Sequence, residues 1–417
     1  MQTISLPFYK LSLRLYWLGI FIASFFNKKA KQWIEGRKNW KSNADKLNFS
    51  KGKRIWFHCA SLGEFEQARP VIEKVKSENA NSVIILTFFS PSGYEVRKNY
   101  ESADFVTYLP LDTKQNAKDF LDFVKPDVVL FVKYEFWYHF LNEPKQKNVP
   151  IILFSAAFRK EQIFFKWYGG LFRTMLNMFS KIFVQSKESS DLLSSIGIES
   201  EVAYDTRFDR VHQIAEDHQS FPAIERFKIG SKLLVAGSTW HKDEELIQQC
   251  IHDDLLRDYK YIIAPHQRDL NRISALRKKL KVRCTLFSEL TLQNAGETDV
   301  VIVDTIGNLA SLYAYAEIAY IGGGFNAGVH NVLEAAVYGM PIIFGPRYQK
   351  SLEAIELKKL FSAFDISSYK DFKCTLASLT GGDQRREMFA GLKAKQYVKD
   401  NLGGTDIIFS YLQQILL

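Results

Sequence analysis

Five short stretches of this 417-residue chain place polar or charged side chains where an apolar, strand-like run gives way to a helix-like one. The first is Ala60-Ser61-Leu62-Gly63-Glu64. Its small residues and Gly63 permit a sharp turn, and Glu64 stands at the mouth of the following helix. A carboxylate there either caps the helix or faces outward as a base. Ser90-Pro91-Ser92-Gly93 offers hydroxyls at a second helix start, suited to a polar or anionic ligand or to N-capping alone. In Lys133-Tyr134-Glu135-Phe136-Trp137 a carboxylate sits among aromatic rings after an all-apolar run. Ala236-Gly237-Ser238-Thr239 follows a strand and opens a helix, a shape able to cradle phosphate. The richest stretch runs from Ile321 to Glu334. Gly322, Gly323 and Gly324 allow close backbone approach to a ligand, and His330 and Asn331 precede a helix with Glu334 one turn inside. A nucleotide fits that order, phosphate at the helix start and ribose hydroxyls on Glu334.

Other chemistries are poorly supported. Gly322, Gly324 and Ala327 satisfy a dinucleotide-type G-x-G-x-x-A, but late in the chain and without an acidic residue ending a strand about 20 positions on. There is no P-loop and no pair of aspartates two apart to clamp a metal. Cys59, Cys250, Cys284 and Cys374 are too dispersed for a metal site and read as buried small hydrophobes in a reducing compartment. No metal ligand set and no cofactor is expected.

These turns must be held by a scaffold. Apolar runs at Ile55–Cys59, Val83–Phe88, Asp127–Val132, Ile151–Phe154 and Ile182–Val184 alternate with helix-like segments, the pattern of parallel strands covered on both faces. A polar, strand-free stretch follows, and the rhythm resumes at Lys232–Ala236, Tyr261–Ala264, Val282–Leu286, Val300–Val303, Ile318–Ile321 and Ile342–Phe344. The expectation is an α/β protein of two Rossmann-like, doubly wound domains facing a cleft. We place the first at residues 31–205, a linker at 206–230 and the second at 231–417, with the last helix able to pack back on the first domain. Residues 1–54 hold twelve Lys and Arg against Glu35 and Asp45, so the net charge of +9 resides in the N-terminus. That argues against a nucleic-acid groove through the body. Leu15–Phe26 is uncharged and flanked by basic residues, so residues 1–30 read as a membrane-associating helix.

Taken in order, the motifs resemble the 3-deoxy-D-manno-octulosonic acid (Kdo) transferases of lipopolysaccharide synthesis over nearly the whole chain. The likeness runs through Ala60-Ser61-Leu62-Gly63-Glu64, Glu135-Phe136-Trp137, Arg207-Phe208-Asp209, Gly237-Ser238-Thr239 and Asp304-Thr305-Ile306-Gly307. It ends in the glycine block with His330-Asn331 and Leu333-Glu334-Ala335-Ala336, then Pro341 and Gly345-Pro346. The resemblance implies a glycosyltransferase of the B-type fold, inverting and metal-independent, with CMP-Kdo as donor substrate and a lipid A precursor as acceptor, at the cytosolic face of the inner membrane. By that likeness Glu64 is the general base and Glu135 a second site carboxylate. The implied binding residues are Ser61, Gly63, Ser90, Arg207, Ser238, Thr239, Gly323, Gly324, His330, Asn331 and Glu334.

Four positions depart from the family pattern. Lys133 replaces a glutamate, Tyr138 a proline and Tyr204 a glycine, and the motif Pro-Arg-His-Pro-Glu-Arg is reduced to Pro265-His266-Gln267-Arg268. His266 and Arg268 are therefore both candidates for the phosphate-contacting role. The alternatives weighed are a UDP-sugar transferase or epimerase of the same fold, and a membrane-docked nucleotide-binding protein without catalysis.

Overall fold

The computed structural model describes residues 2–38, 40, 52–381 and 384–416. The chain divides into two compact units, Met1–Asp209 with Leu402–Leu417, and Arg210–Asn401.

The first unit holds a seven-stranded, all-parallel sheet: β1 (Arg54–Cys59), β2 (Val83–Phe88), β3 (Phe105–Tyr108), β4 (Val128–Val132), β5 (Ile151–Ala156), β6 (Lys181–Val184) and β7 (Glu201–Val202). Its order is β3-β2-β1-β4-β5-β6-β7, so the winding reverses between β1 and β4, where doubly wound folds bind ligands. Alternate side chains go to opposite faces. Ile55, Phe57 and Cys59 enter one core with Val128 and Leu130, while Trp56 enters the other with Val129 and Phe131. Both faces are dry, as unbroken apolar strands require. Truncating the fully buried Trp56 to alanine would cost about 3–5 kcal/mol.

Two N-terminal helices, Gln2–Ala23 and Lys28–Lys38, belong to this unit. The first docks through Leu13 and through the Tyr9 hydroxyl, which donates to Asp112 Oδ2 at 2.5 Å. Its remaining faces carry exposed Phe8, Leu11, Leu15, Trp17, Leu18 and Ile22. Among the described residues no helix is long and apolar enough to cross a membrane. The second helix is locked by Arg37, whose guanidinium lies 3.7 Å over the Trp33 ring and donates to Phe89 O at 2.6 Å. The last helix, Gly404–Leu416, returns to the first unit and packs Ile408, Phe409 and Leu412 into the core beside Phe65, Ala68 and Ile72.

The second unit repeats the plan with β8 (Lys232–Thr239), β9 (Tyr259–Pro265), β10 (Cys284–Leu286), β11 (Val300–Ile302), β12 (Ile318–Ile321), β13 (Ile342–Phe344) and β14 (Ala363–Asp365). All pairings are parallel, in the order β10-β11-β9-β8-β12-β13-β14, and the winding reverses between β8 and β12.

Three strands were not expected from the sequence: β3, β7 and β14. They are two to four residues long at or next to a sheet edge, too short to show a period. The stretch expected as a linker carries two helices, Arg207–Glu216 and Pro222–Lys228. Cys59, Cys250 and Cys284 are buried, but Cys374 is exposed, on the outward side of the helix Tyr369–Thr380.

Candidate functional site

In the first unit the candidate residues gather at the carboxyl ends of β1, β2 and β4. Ser61 caps the helix Leu62–Glu78 by accepting the Gly63 N–H at 3.2 Å, and its own hydroxyl donates to Glu64 Oε2. Glu64 is thus oriented from within its own turn and remains partly exposed, as a base needs. Glu135 follows β4, and its Oε2 accepts the Trp137 indole N–H at 2.7 Å. The same oxygen lies 3.2 Å from His58 Nε2.

His58 is fully buried. In register it pairs with Thr87 on β2, and its Nδ1 lies 2.9 Å from the Thr87 hydroxyl, which also receives the Trp56 indole N–H at 2.8 Å. The result is a continuous polar line, Trp56–Thr87–His58–Glu135–Trp137, running from the core to the end of β4. Sequence reasoning missed His58 and Thr87. Their signal was a lone polar residue near the carboxyl end of each of two otherwise apolar strands.

Ser90 caps the helix Pro91–Arg97, accepting Ser92 N at 3.2 Å, and its hydroxyl pairs with Ser92 Oγ at 2.9 Å. The neighbouring Phe89 ring stacks on Trp137 at 4.6 Å. Arg207 is tied through Asp205 to Gln67, one turn along the helix from Glu64. Its guanidinium is bound to buried Asp205, at 2.7 Å from Nη2, and Asp205 also accepts from Gln67 and Gln185, at 2.7 Å each. That guanidinium holds the Asp205 carboxyl below its usual range against the opposing cost of burial. Asp209 of the same motif accepts the N–H groups of Gly403 and Thr405, both at 2.7 Å, and so pins the start of the last helix. Both ends of the Arg207-Phe208-Asp209 motif thus carry structural bonds.

In the second unit the turn after β8, which the sequence suggested as a phosphate cradle, is bonded within the protein. The first turn of the helix His241–His252 carries Asp243 and Glu244, both buried. Asp243 Oδ2 accepts Trp240 N at 2.8 Å and Gly323 N at 3.1 Å, while Oδ1 accepts the Tyr320 hydroxyl at 2.7 Å. Thr239 Oγ1 is spent on Glu244 Oε1 at 3.1 Å. An anion arriving there would meet two carboxylates. Ser238 adopts a positive φ of 53° and turns its carbonyl toward Gly322.

The glycines are needed by the protein's own backbone. A Cβ on Gly322 would stand 2.3 Å from Ser238 O, and one on Gly324 2.6 Å from Gly345 N. Gly323 has φ of 90°, and a Cβ there would strike Gly328 O and the His330 ring. All three are buried against backbone. Asn331 Oδ1 accepts Leu333 N at 3.2 Å, and its amide donates to Glu334 Oε1 at 3.0 Å. The helix they open, Leu333–Ala336, is only four residues long, too short to concentrate charge at its start.

What the second unit does offer is a stack of three rings. His266 lies between Trp240 and His330, with centroids 4.8 and 4.5 Å away. Trp240 Nε1–H donates to His330 Nε2 at 3.1 Å, which places the His330 proton on Nδ1. Burial, with His266 beside it, pulls the His330 imidazole down to about 4. Burial and the positive fields of Arg268 and Arg272 also lower His266. Arg272 is paired with Glu244 at 3.1 Å, whereas Arg268 Nε is buried with no hydrogen-bond partner among the described residues.

Residues 32–210 match the model of a family described as 3-deoxy-D-manno-octulosonic-acid transferase. That stretch is similar to the Kdo transferase family. Among its relatives, the Kdo transferase of Aquifex aeolicus is 28% identical over 335 residues, 78% of this chain and 85% of that one. The Haemophilus influenzae Kdo transferase is 26% identical over 70% of each chain. A bifunctional glycosyltransferase/methyltransferase of Fusobacterium nucleatum is 27% identical over 87% of this chain, which spans 57% of that longer protein. In fold, the chain is similar to a UDP-GlcNAc 2-epimerase from Neisseria meningitidis (TM-score 0.59, 15% identity, 87% of this chain and 100% of that one). MurG from Acinetobacter baumannii gives a TM-score of 0.56 at 10% identity, over 87% and 99%. The relatives support a glycosyltransferase, and the solved structures share the fold of two parallel-sheet α/β domains.

Two departures from the Kdo transferase pattern have visible consequences. Tyr138 begins the helix Tyr138–Gln146, where proline is favoured because the N–H is idle. Here that N–H donates to the Tyr9 hydroxyl at 3.3 Å, a bond to the N-terminal helix that proline could not make. Tyr204 has φ of 56°, the left-handed region in which glycine is at ease. Lys133 also has a positive φ, 64°, and its ammonium lies 5.8 Å from the Tyr134 ring.

Proposed function

We propose that the chain transfers Kdo from CMP-Kdo to a lipid A precursor during lipopolysaccharide core synthesis, with inversion and without a metal. Glu64 takes the proton of the acceptor hydroxyl, the oxygen attacks the anomeric carbon, and the bond to the CMP phosphate breaks as CMP leaves. The observation that carries this reading is Glu64 at the carboxyl end of β1, oriented by the Ser61 hydroxyl, within the residues that match the Kdo transferase model. Glu135, one strand away, serves the same site.

The second unit takes the nucleotide. Arg268, half-buried with its charge acting on His266, brings its guanidinium to the phosphate, and the rings of Trp240, His266 and His330 offer a face to the base. CMP is a good leaving group, so a base and a phosphate-facing cation suffice. The exposed apolar residues of the first helix, with Lys10 and Arg14 on that helix and Lys28, Lys29 and Lys31 at the start of the second, suit the cytosolic surface of the inner membrane, where the acceptor resides.

The test is incubation with freshly made CMP-Kdo and a tetraacyl lipid A precursor in EDTA, read by mass spectrometry. A product heavier by one or more Kdo residues is expected. Folded protein that yields none, yet turns over a UDP-sugar, would replace this reading by that of a UDP-sugar enzyme.

A further inference from the structure

Arg37, near the end of the helix Lys28–Lys38, is enclosed by rings. Its guanidinium carbon lies 3.7 Å from the Trp33 ring, 4.8 Å from Phe89 and 5.1 Å from Tyr108. Nη1 donates to Trp33 O at 3.0 Å and Nη2 to Phe89 O at 2.6 Å, and no carboxylate is among its described partners. Burial lowers the guanidinium to about 9, so it is still charged at neutral pH. A buried cation of this kind adds little to stability, since an apolar side chain of similar volume would pack as well. What it fixes is one spot, the main chain at Phe89 and one side of the Phe89 ring. The Trp33 indole meets that ring edge-on at 5.6 Å, and Tyr16 of the first helix stacks on it at 6.1 Å.

Phe89 follows β2 directly, one residue before Ser90. Its ring stacks on Trp137 at 4.6 Å with 25° between the planes, within the range of an attractive offset pair. Trp137 precedes the helix Tyr138–Gln146 without a side-chain cap bond, so ring packing and the bond to Glu135 set its orientation. In that bond the indole N–H donates to Glu135 Oε2 at 2.7 Å. Three contacts therefore carry the position of Arg37 to the Glu135 carboxylate, all inside the first unit. A turn of the indole out of the stack would break the last of them.

We propose that Arg37 is a positioning residue for the reaction: by clamping Phe89 it sets the Trp137 ring, which aims the Glu135 carboxylate. The proposal rests on the role given above to Glu135. It makes the two N-terminal helices part of the reaction site, whatever their relation to the membrane, because Arg37 belongs to one and Tyr16 to the other.

The tests use the full-length protein. Arg37→Met keeps the volume and discards the cation, while Phe89→Leu keeps an apolar side chain and discards the stack. Each is expected to lower kcat about tenfold, part of the roughly 10²-fold cost of a full ångström, with KM for CMP-Kdo unchanged. In a Glu135→Gln background Phe89→Leu should cost less than about twofold, because residues that act through one another are not additive. The same tenfold loss in both backgrounds would overturn the proposal and leave Glu135 its role. Wild-type turnover by Glu135→Gln would instead remove the role of Glu135, and with it the effect of the clamp on the reaction. The Trp137 indole N–H, identified by its absence in Trp137→Phe, decides the clamp without any transfer reaction. Arg37→Met should speed its exchange with solvent, followed by NMR, and unchanged exchange refutes the clamp. Should Arg37→Met not fold, Phe89→Leu serves both measurements.

Discussion

His58 Nε2 lies 3.2 Å from Glu135 Oε2, and the imidazole making that contact is completely buried. A carboxylate oxygen needs a donor, which puts the proton on Nε2. Nδ1 then accepts from the Thr87 hydroxyl at 2.9 Å, whose other acceptor, Phe57 O, is farther away at 3.3 Å. Glu135 is thereby fixed from behind by the sheet and from the side by Trp137, while His58 touches no solvent. We class His58 as a positioning residue.

His58→Leu is expected to lower kcat on the order of 10²-fold, because a misplacement of about an ångström in a reacting group has that cost. His58→Gln, whose amide can still donate to Glu135, should recover a large part of the loss. CMP affinity should not move in either variant, since the residues proposed for the nucleotide lie in the other unit. Steady-state kinetics with CMP binding by calorimetry would check this. Equal losses in the two variants would show that His58 serves folding rather than the orientation of Glu135.

Glu64→Ala is expected to fold, bind CMP as before and lose transfer by about 10²–10⁴-fold, the usual value of a general base. Ser61→Ala removes both the helix cap and the hydroxyl that orients Glu64. Its loss of kcat should be smaller, and it should carry a stability cost of about 1 kcal/mol from the missing cap. Turnover of Glu64→Ala near the wild-type rate would remove it as the base.

Much of this was legible in the sequence, for identifiable reasons. Strands buried on both faces are apolar throughout, so β1, β2, β4 and β5 stood out from composition alone, and Glu64 and Glu135 were found because each directly follows such a run. The glycine block was visible too, but its meaning was not. Gly322 and Gly324 are demanded by the backbones of Ser238 and Gly345, which come from distant strands that only the fold brings near. Arg207 poses the same question. A motif shared with a family marks a position that matters, without saying whether it matters to the ligand or to buried Asp205. Trp240 and Asp243 carried no motif, and their partners His330 and Gly323 lie 80 or more positions along the chain.

The His330 imidazole, pulled down to about 4 by burial, gives the second unit a defined acid sensitivity. In the unfolded chain this histidine takes its proton near 6.5. Above that pH both states are neutral there, and its contribution to stability is fully present. As pH falls from about 6.5 toward 4 only the unfolded state binds the proton, so stability declines across that window. Protonation also displaces the Trp240 N–H from Nε2. His330→Asn should flatten the denaturant midpoint between pH 6.5 and 4 relative to wild type. A midpoint curve parallel to wild type would mean that His330 is not the group responsible.

Tyr204 offers a test of backbone energetics alone. With φ of 56° it occupies a region that costs a residue with a Cβ roughly 1–2 kcal/mol, and the family pattern has glycine in its place. Its neighbours are the core residue Ala203 and the buried Asp205 hub, which hold the backbone in this conformation. Tyr204→Ala keeps the strain and discards the ring, so it should destabilise. Tyr204→Gly discards the ring and relieves the strain, at the cost of a more flexible unfolded chain. Glycine should therefore be the more stable of the two by about 0.5–1 kcal/mol, seen as a higher Tm for Tyr204→Gly than for Tyr204→Ala. The opposite ranking would show that position 204 relaxes out of the left-handed region when the ring is removed.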